Sequence, residues 1–390
     1  LISGEDFMKG NPVVEYAKLR ASWGKSGNNQ IPNFGAQAIM GSADYINGGS
    51  IAPGTIISES PNADLSWEMT STYNIGLDLT LFEYLGVNAD FYVANTQDLL
   101  LEVPVPEQSG YATSLQNIGE IRNVGFELKL STAKNVNLGP VSWNSSLSLS
   151  TNKNKVLALA PGQTQIISGS NITKVGESIS ELYGYEILGI YKSEEDLQKY
   201  PSMAGTQIGD YIIADLNGDK IIDSKDKKSF GSPASKAIIG FNNVFGYKDF
   251  ELTFDFYSEL GKKKYGSTLE SLERGEGFMM VTQDYFDNRY HPVNNPDGTY
   301  ATPNMANYSN ARKAAATSNI WFKDASYLLL RNLKLSYNLP QSFTKKLGLS
   351  RAQVYVLGNN LFMITPYKGF NIDAEGTNLL EQGKEHYVYP

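Results

Sequence analysis

Residues 67 to 79, WEMTSTYNIGLDL, alternate in character almost without interruption. Trp67, Met69, Tyr73, Ile75, Leu77 and Leu79 share the odd positions with Ser71, while Glu68, Thr70, Thr72, Asn74, Gly76 and Asp78 hold the even ones. A period of two puts the two sets on opposite faces of a β-strand, and the run is far longer than the roughly five or six residues of an ordinary soluble strand. The same alternation recurs in VEYAKLRASWG, VNADFYVANTQD, VGFELKLS, WNSSLSLSTN and FELTFDFYS, and more weakly in AIIGFNNVFG (237–246), YLLLRNLKLSYN (327–338) and AQVYVLGNNLF (352–362). Together these segments predict about nine two-faced strands.

The connections alternate as well. Short links (80–86, 132–141, 247–249, 339–351) take turns with long ones (25–65, 99–122, 154–236, 259–326). In an up-and-down sheet every second connection lies at the same end, so all long loops project from one side. Short periplasmic turns, long extracellular loops and strands of about ten residues are the pattern of outer-membrane barrels. The expected fold is therefore all-β, an antiparallel up-and-down transmembrane β-barrel, with the odd residues of 67–79 facing lipid and the even ones a watery lumen. A closed barrel leaves no backbone edge unpaired in hydrocarbon. Trp67 at one end, and Phe82 with Tyr84 at the other, fall where aromatic girdles belong. A soluble β-sandwich also alternates, but structureless loops of about twenty residues argue against a compact domain.

Composition supports β structure with many turns: 24 Tyr, 17 Phe and 36 Gly in 390 residues. With 33 basic and 41 acidic residues the formal charge is −8, which disfavours a phosphate-binding surface, so nucleic acid is not an expected partner. The chain has no Cys, which removes disulfides and thiolate chemistry. Its two His, His291 and His386, read as surface loop residues. No run of about eighteen apolar residues marks a membrane helix. The opening LISGEDFMKG lacks a start Met and a basic-then-apolar segment, so it is no signal peptide and reads like the middle of a longer chain.

One motif carries metal chemistry. DLNGDKIIDSKD, 215–226, places Asp215, Asn217, Asp219, Asp223 and Asp226 at positions 1, 3, 5, 9 and 12 of a twelve-residue loop. Ile221 at position 7 would add a backbone carbonyl, and Ile222 is the apolar anchor. Hard oxygen ligands at this spacing suit calcium, Ca2+. Asp at position 12 replaces the bidentate Glu of EF-hands, as in dockerin loops, and Lys220 stands where Gly makes the sharp turn. The alternatives are a structural calcium clip within the long insertion 154–236 and a solvated acidic turn without an ion. Just upstream, SEEDLQKY predicts a short helix with Ser193 as N-cap and Asp196 completing a capping box, and GDYIIADLNG a strand entering the acidic loop. Catalytic constellations are absent: GKSG at 24–27 is no nucleophile elbow, and no phosphate-binding glycine pattern occurs. An enzyme is not expected.

The stretches YAKLRASWGKSGNN (16–29), LSWEMTSTYNIGLDL (65–79), IGEIRNVGFEL (118–128), ELYGYEILGIYKSEEDL (181–197), DLNGDKIIDSKDKKSFGSPASK (215–236), IGFNNVFGYKDFELTFDF (239–256), FKDASYLLLRNLKLSYNLP (322–340) and VYVLGNNLFMITPYKGFNID (354–373) jointly resemble the SusC/RagA-type TonB-dependent outer-membrane transporters of Bacteroidetes. The resemblance implies a plugged barrel of 22 strands, of which residues 1–390 would be the C-terminal part, supplying about nine or ten, with the plug, TonB box and last strand absent. It also implies energisation by a TonB complex, a SusD-like surface lipoprotein as partner, membrane lipid around the strands, and an oligosaccharide or peptide as substrate. Loop aromatics able to stack on such ligands are Tyr285, Phe286, Tyr290, Trp321 and Phe322, though Tyr285 and Phe286 could equally pack their own loop, and the ligand-contacting residues stay unassigned. Competing readings are a passive porin and a soluble, calcium-clipped β adhesin or glycan-binding module.

Overall fold

The computed structural model describes residues 1–390 apart from 30, 32, 58–59, 112, 276–279, 304–309, 371, 374–375, 377 and 386–390. Nine long strands form its main sheet: β1 (Val14–Asn28), β2 (Glu68–Leu81), β3 (Leu85–Gln97), β4 (Glu120–Thr132), β5 (Val141–Ala158), β6 (Ala237–Tyr247), β7 (Phe250–Leu260), β8 (Tyr327–Asn338) and β9 (Gln353–Ile364). Each pairs antiparallel with the next in sequence, and a short strand, Val136–Leu138, adds to β5. The strands begin and end near where alternation places them.

The sheet is open. β1 and β9 are its free edges, and it neither closes into a barrel nor curls strongly. The expected partial transmembrane β-barrel, about nine or ten of 22 strands, is corrected to an open antiparallel sheet that is not strongly curled. The cause is physical: period and loop length specify which strands are neighbours and which side chains share a face. Closure further requires the first and last strands to exchange hydrogen bonds at a consistent tilt and stagger, and neither is written in the alternation.

Register confirms the two faces. Ala21, Ile75, Phe91, Phe126 and Thr151 form one row across β1 to β5; on the other face Ser22, Asn74, Tyr92, Gly125 and Asn152 form another. The apolar face is not a dry core, for Ile75 is 59% exposed and Trp23 64%.

The dry core lies instead among the long connections, which all leave from one end of the sheet. Leu99, Leu101, Val156, Ile166 and Leu380 form one buried cluster, Leu182, Tyr265, Leu269 and Trp321 a second, and Ile190, Tyr211, Tyr290 and Ala315 a third. A four-stranded sheet (Gln165–Ser168, Asn171–Lys174, Glu181–Tyr185, Lys227–Ser229) organises the 159–236 connection. Helix α1 (Glu194–Lys199) starts there as expected: the Ser193 side chain accepts from Asp196 N at 3.2 Å, and the Asp196 carboxylate accepts in return from Ser193 N at 3.1 Å. Helices α2 (Ser267–Glu273), α3 (Gln283–Asn288) and α4 (Asn310–Ala315) lie in the 261–326 connection.

Candidate functional site

The polar face of the sheet is built around an arginine fork. Arg20 on β1 reaches Asp78 on β2 through Nε and Nη2, at 2.8 and 2.9 Å, and Asp90 on β3 through Nη1 and Nη2, at 2.9 and 2.7 Å. Planar, bidentate donation is what a guanidinium offers and an ammonium does not. Gly76 makes the room: a Cβ there would lie 2.6 Å from Arg20 Cζ. Asn88 Nδ2 adds a bond to Asp78 at 2.8 Å. Farther along the face the Tyr92 ring covers Gly125, where a Cβ would overlap it. Its hydroxyl donates to Asn152 at 3.4 Å, and Asn152 and Asn154 both donate to Asn123 at 3.0 Å. The result is a polar wall of amides, hydroxyls and paired charge spanning five strands. It sets no acid against a base over a reacting position; it can line a water-filled passage.

The connections beyond it hold buried charge. Arg312 Nε donates to Asp210 at 2.5 Å with both side chains almost wholly buried, and Asp210 also accepts from Gln207 N at 3.0 Å. The Glu273 carboxyl, 3% exposed, accepts from the Thr282 hydroxyl at 2.8 Å, and burial pushes its pKa above the ordinary carboxylate value. Nearby, the Tyr300 hydroxyl donates to Asp284 at 3.0 Å, and that bond holds the Asp284 carboxyl below its usual value.

The acidic turn folds on backbone donors. Asp215 accepts from Gly218 N and Lys220 N at 2.7 and 2.9 Å, Asn217 from Asp219 N at 2.9 Å, and Asp219 from Ile221 N at 2.8 Å. Lys220 takes the left-handed conformation, φ +65°, that a glycine was expected to supply. Ile222 is buried against Tyr185 and Ile213, as an anchor should be, whereas Ile221 is exposed. At position 12 the fully buried Asp226 accepts from Leu216 N at 2.9 Å and Asp223 N at 2.8 Å, closing the turn through protein hydrogen bonds. Asp223 in turn accepts from Lys225 N at 2.7 Å. No three carboxylate or imidazole groups converge at metal-holding distance among the described residues.

The loop aromatics separate sharply. Tyr285, Tyr290 and Trp321 are 1%, 3% and 1% exposed, and Phe322 packs on Phe230 and Tyr265, so these four build loop cores. Tyr285 donates to the Ala301 carbonyl at 3.0 Å, and burial pushes its phenol up to about 12. Only Phe286 of the five is exposed, with Arg289 stacked 4.0 Å over its ring. His291 Nδ1 accepts from Val293 N and Asn294 N at 3.2 and 3.0 Å, a loop role; His386 lies outside the described residues. Sequence reasoning missed the Arg20 fork. Its signal was present: three charged residues and a glycine on the polar positions of adjacent strands.

Comparison with known proteins gives concordant matches. The family described as TonB dependent receptor-like, beta-barrel matches residues 12–361. TonB-dependent receptor P3 of Formosa agariphila is 33% identical over 386 residues, covering 96% of this chain and 37% of that protein. TonB-dependent receptor SusC of Bacteroides thetaiotaomicron is 26% identical over 399 residues, again with 96% and 37% coverage. Among solved structures, the RagAB peptide transporter superposes with a TM-score of 0.78 at 26% identity, covering 97% of this chain and 41% of that one. The chain thus spans about two fifths of the length of the relatives it matches.

Proposed function

Because the chain belongs to the TonB-dependent receptor-like β-barrel family, in its SusC/RagA type, and is a bacterial outer-membrane protein, we propose that it serves energised import of large nutrients across that membrane. The substrate class is oligosaccharide or peptide, and the work is binding and passage rather than bond chemistry. The observation that carries this reading is the division of one sheet. Its exposed apolar rows suit acyl chains, while the opposite face is a hydrogen-bonded hydrophilic wall that suits a solute path. Edge groups on β1 and β9 need backbone partners wherever they meet hydrocarbon. A TonB complex as energy source and a SusD-like lipoprotein over the long connections are proposed partners; the RagAB and SusC relatives support both. The 159–236 connection, the core of the insertion 154–236, is proposed to face the cell exterior.

The test is uptake of labelled oligosaccharide and peptide pools by cells carrying or lacking the gene, with and without a protonophore. Gene-dependent uptake abolished by the protonophore is expected. Gene-dependent uptake that survives it would replace the reading with a passive pore, and a protein extracted monodisperse in plain buffer would replace it with a soluble adhesin.

A calcium ion at Asp215, Asn217, Asp219, Ile221, Asp223 and Asp226 is a second proposal, resting on oxygen-ligand spacing. Calorimetric titration should show heat that an Asp215→Ala, Asp219→Ala variant loses; identical heats would end it.

A further inference from the structure

The apolar face changes character at one level. Trp23, Tyr73, Val93, Val124 and Lys153 form one row across β1 to β5, and the next row towards the long connections is Lys25, Ser71, Asn95, Arg122 and Lys155. Four cations therefore crown an aromatic and aliphatic band on a chain whose total charge is −8. All four are exposed, and none joins a salt bridge among the described residues. Arg20 on the opposite face, by contrast, is held by two carboxylates. Arg122 is steadied by donating from Nε to Asn95 at 2.7 Å. The carboxylate one step beyond on this face, Glu120, accepts from Gln97 at 3.2 Å.

We propose that Arg122, Lys153 and Lys155, flanked by Lys25, bind the phosphate-bearing headgroup of an outer-leaflet glycolipid whose acyl chains lie along Trp23, Tyr73 and the rows below. The spacing fits. Adjacent strands lie about 4.8 Å apart and alternate residues on a strand about 6.8 Å apart, so the first three cations lie within reach of one headgroup, with Lys25 about 15 Å to the side. Phosphate oxygens accept charge-assisted bonds from a guanidinium and two ammonium groups, and long cationic side chains bury their stems in the apolar zone while the charge stays at the interface. The inference rests on the lipid-facing assignment of this face.

The test uses protein isolated from outer membranes in detergent, stripped of lipid and offered lipopolysaccharide, either intact or dephosphorylated, with retention read by native mass spectrometry. Intact lipid should be retained at least about tenfold better than dephosphorylated lipid. The Arg122→Gln, Lys153→Gln, Lys155→Gln variant should lose that preference, while Lys248→Gln, Lys345→Gln, Lys346→Gln at the opposite end keeps it. Equal retention of the two lipids by the parent, which needs no variant to fold, overturns the proposal. Retained preference in the first variant does so too, and so does complete displacement by inorganic phosphate, which would mark a small-anion site. Quenching of Trp23 fluorescence by brominated lipid separates the premises: quenching without headgroup preference sinks this site alone, and absent quenching sinks the face assignment beneath it.

Discussion

Ile75→Arg puts the face assignment under the greatest strain. β2 runs over Glu68–Leu81, 14 residues, and Ile75 is at its middle. At about 3.4 Å per residue the strand is roughly 48 Å long, more than an apolar band of about 25 Å, so on the proposed lipid-facing assignment its middle lies within that band. Ile75 therefore falls near the midplane. It is 59% exposed, lies between Ala21 and Phe91, and has Tyr73 and Leu77 above and below on its own face, so a guanidinium there meets no carboxylate. An arginine at that depth costs about 2–4 kcal/mol, a fall of roughly 30- to 700-fold in the folding constant at about 1.4 kcal/mol per tenfold. Asn74, one residue away, lies between Ser22 and Tyr92 on the hydrogen-bonded face; Asn74→Arg should cost less than about 1 kcal/mol, because its charge stays in water. Urea titration of each variant folded into lipid vesicles, followed by tryptophan fluorescence, measures both. Equal midpoints, or a larger loss for Asn74→Arg, would refute the orientation of the sheet.

Two further outcomes follow from packing and charge in the polar face and the loops. Gly125→Ala drives a methyl into the Tyr92 ring and should destabilise by about 1–3 kcal/mol. Adding Tyr92→Ala should recover part of that loss, and strictly additive effects in the double-mutant cycle would deny the contact. Glu273, whose pKa burial raises, binds more protons folded than unfolded between its ordinary and folded values, so its contribution to stability declines as pH rises through that window. Glu273→Gln should therefore raise the melting temperature at pH 7.5 but not at pH 4, and the same gain at both would contradict the cause. Asp284, held low by Tyr300, acts in the opposite sense, its contribution fading only as pH falls.

The strands were legible because a single strand carries its own two-faced code. Tyr73 and Asn74 announce opposite sides before any partner is known. The Ser193 capping box was legible for the same reason, since its partners lie within one turn. Closure was not, because it depends on how β1 and β9 meet. The aromatics Tyr285, Tyr290 and Trp321 were left unassigned, between ligand contact and loop packing, because nothing in their local pattern separates a loop with its own core from one open to a solute; their burial puts them in loop cores. Asp210 and Arg312 lie 102 residues apart with no period to connect them; only the folded connections bring them together.

Those connections explain how the molecule divides its stabilising forces. The apolar face of the sheet encloses no dry interior, since Ile75, Phe91 and Phe126 remain 59%, 49% and 39% exposed. Its cohesion comes from backbone ladders and cross-strand polar bonds such as the Arg20 fork, together with the apolar phase that the proposed assignment gives to its apolar rows. The long connections hold the buried clusters around Leu101, Trp321 and Tyr211 and fold as water-soluble domains do, by hiding apolar surface from water. Solvent thus acts in opposite senses on the two parts. A membrane that supports the apolar rows of the sheet would strip the driving force from the clusters, so on the proposed assignment those clusters belong outside hydrocarbon. On the proposed lipid-facing assignment, the cationic row of Lys25, Arg122 and Lys155, on the connection side of Trp23 and Tyr73, then falls at the boundary between the two media.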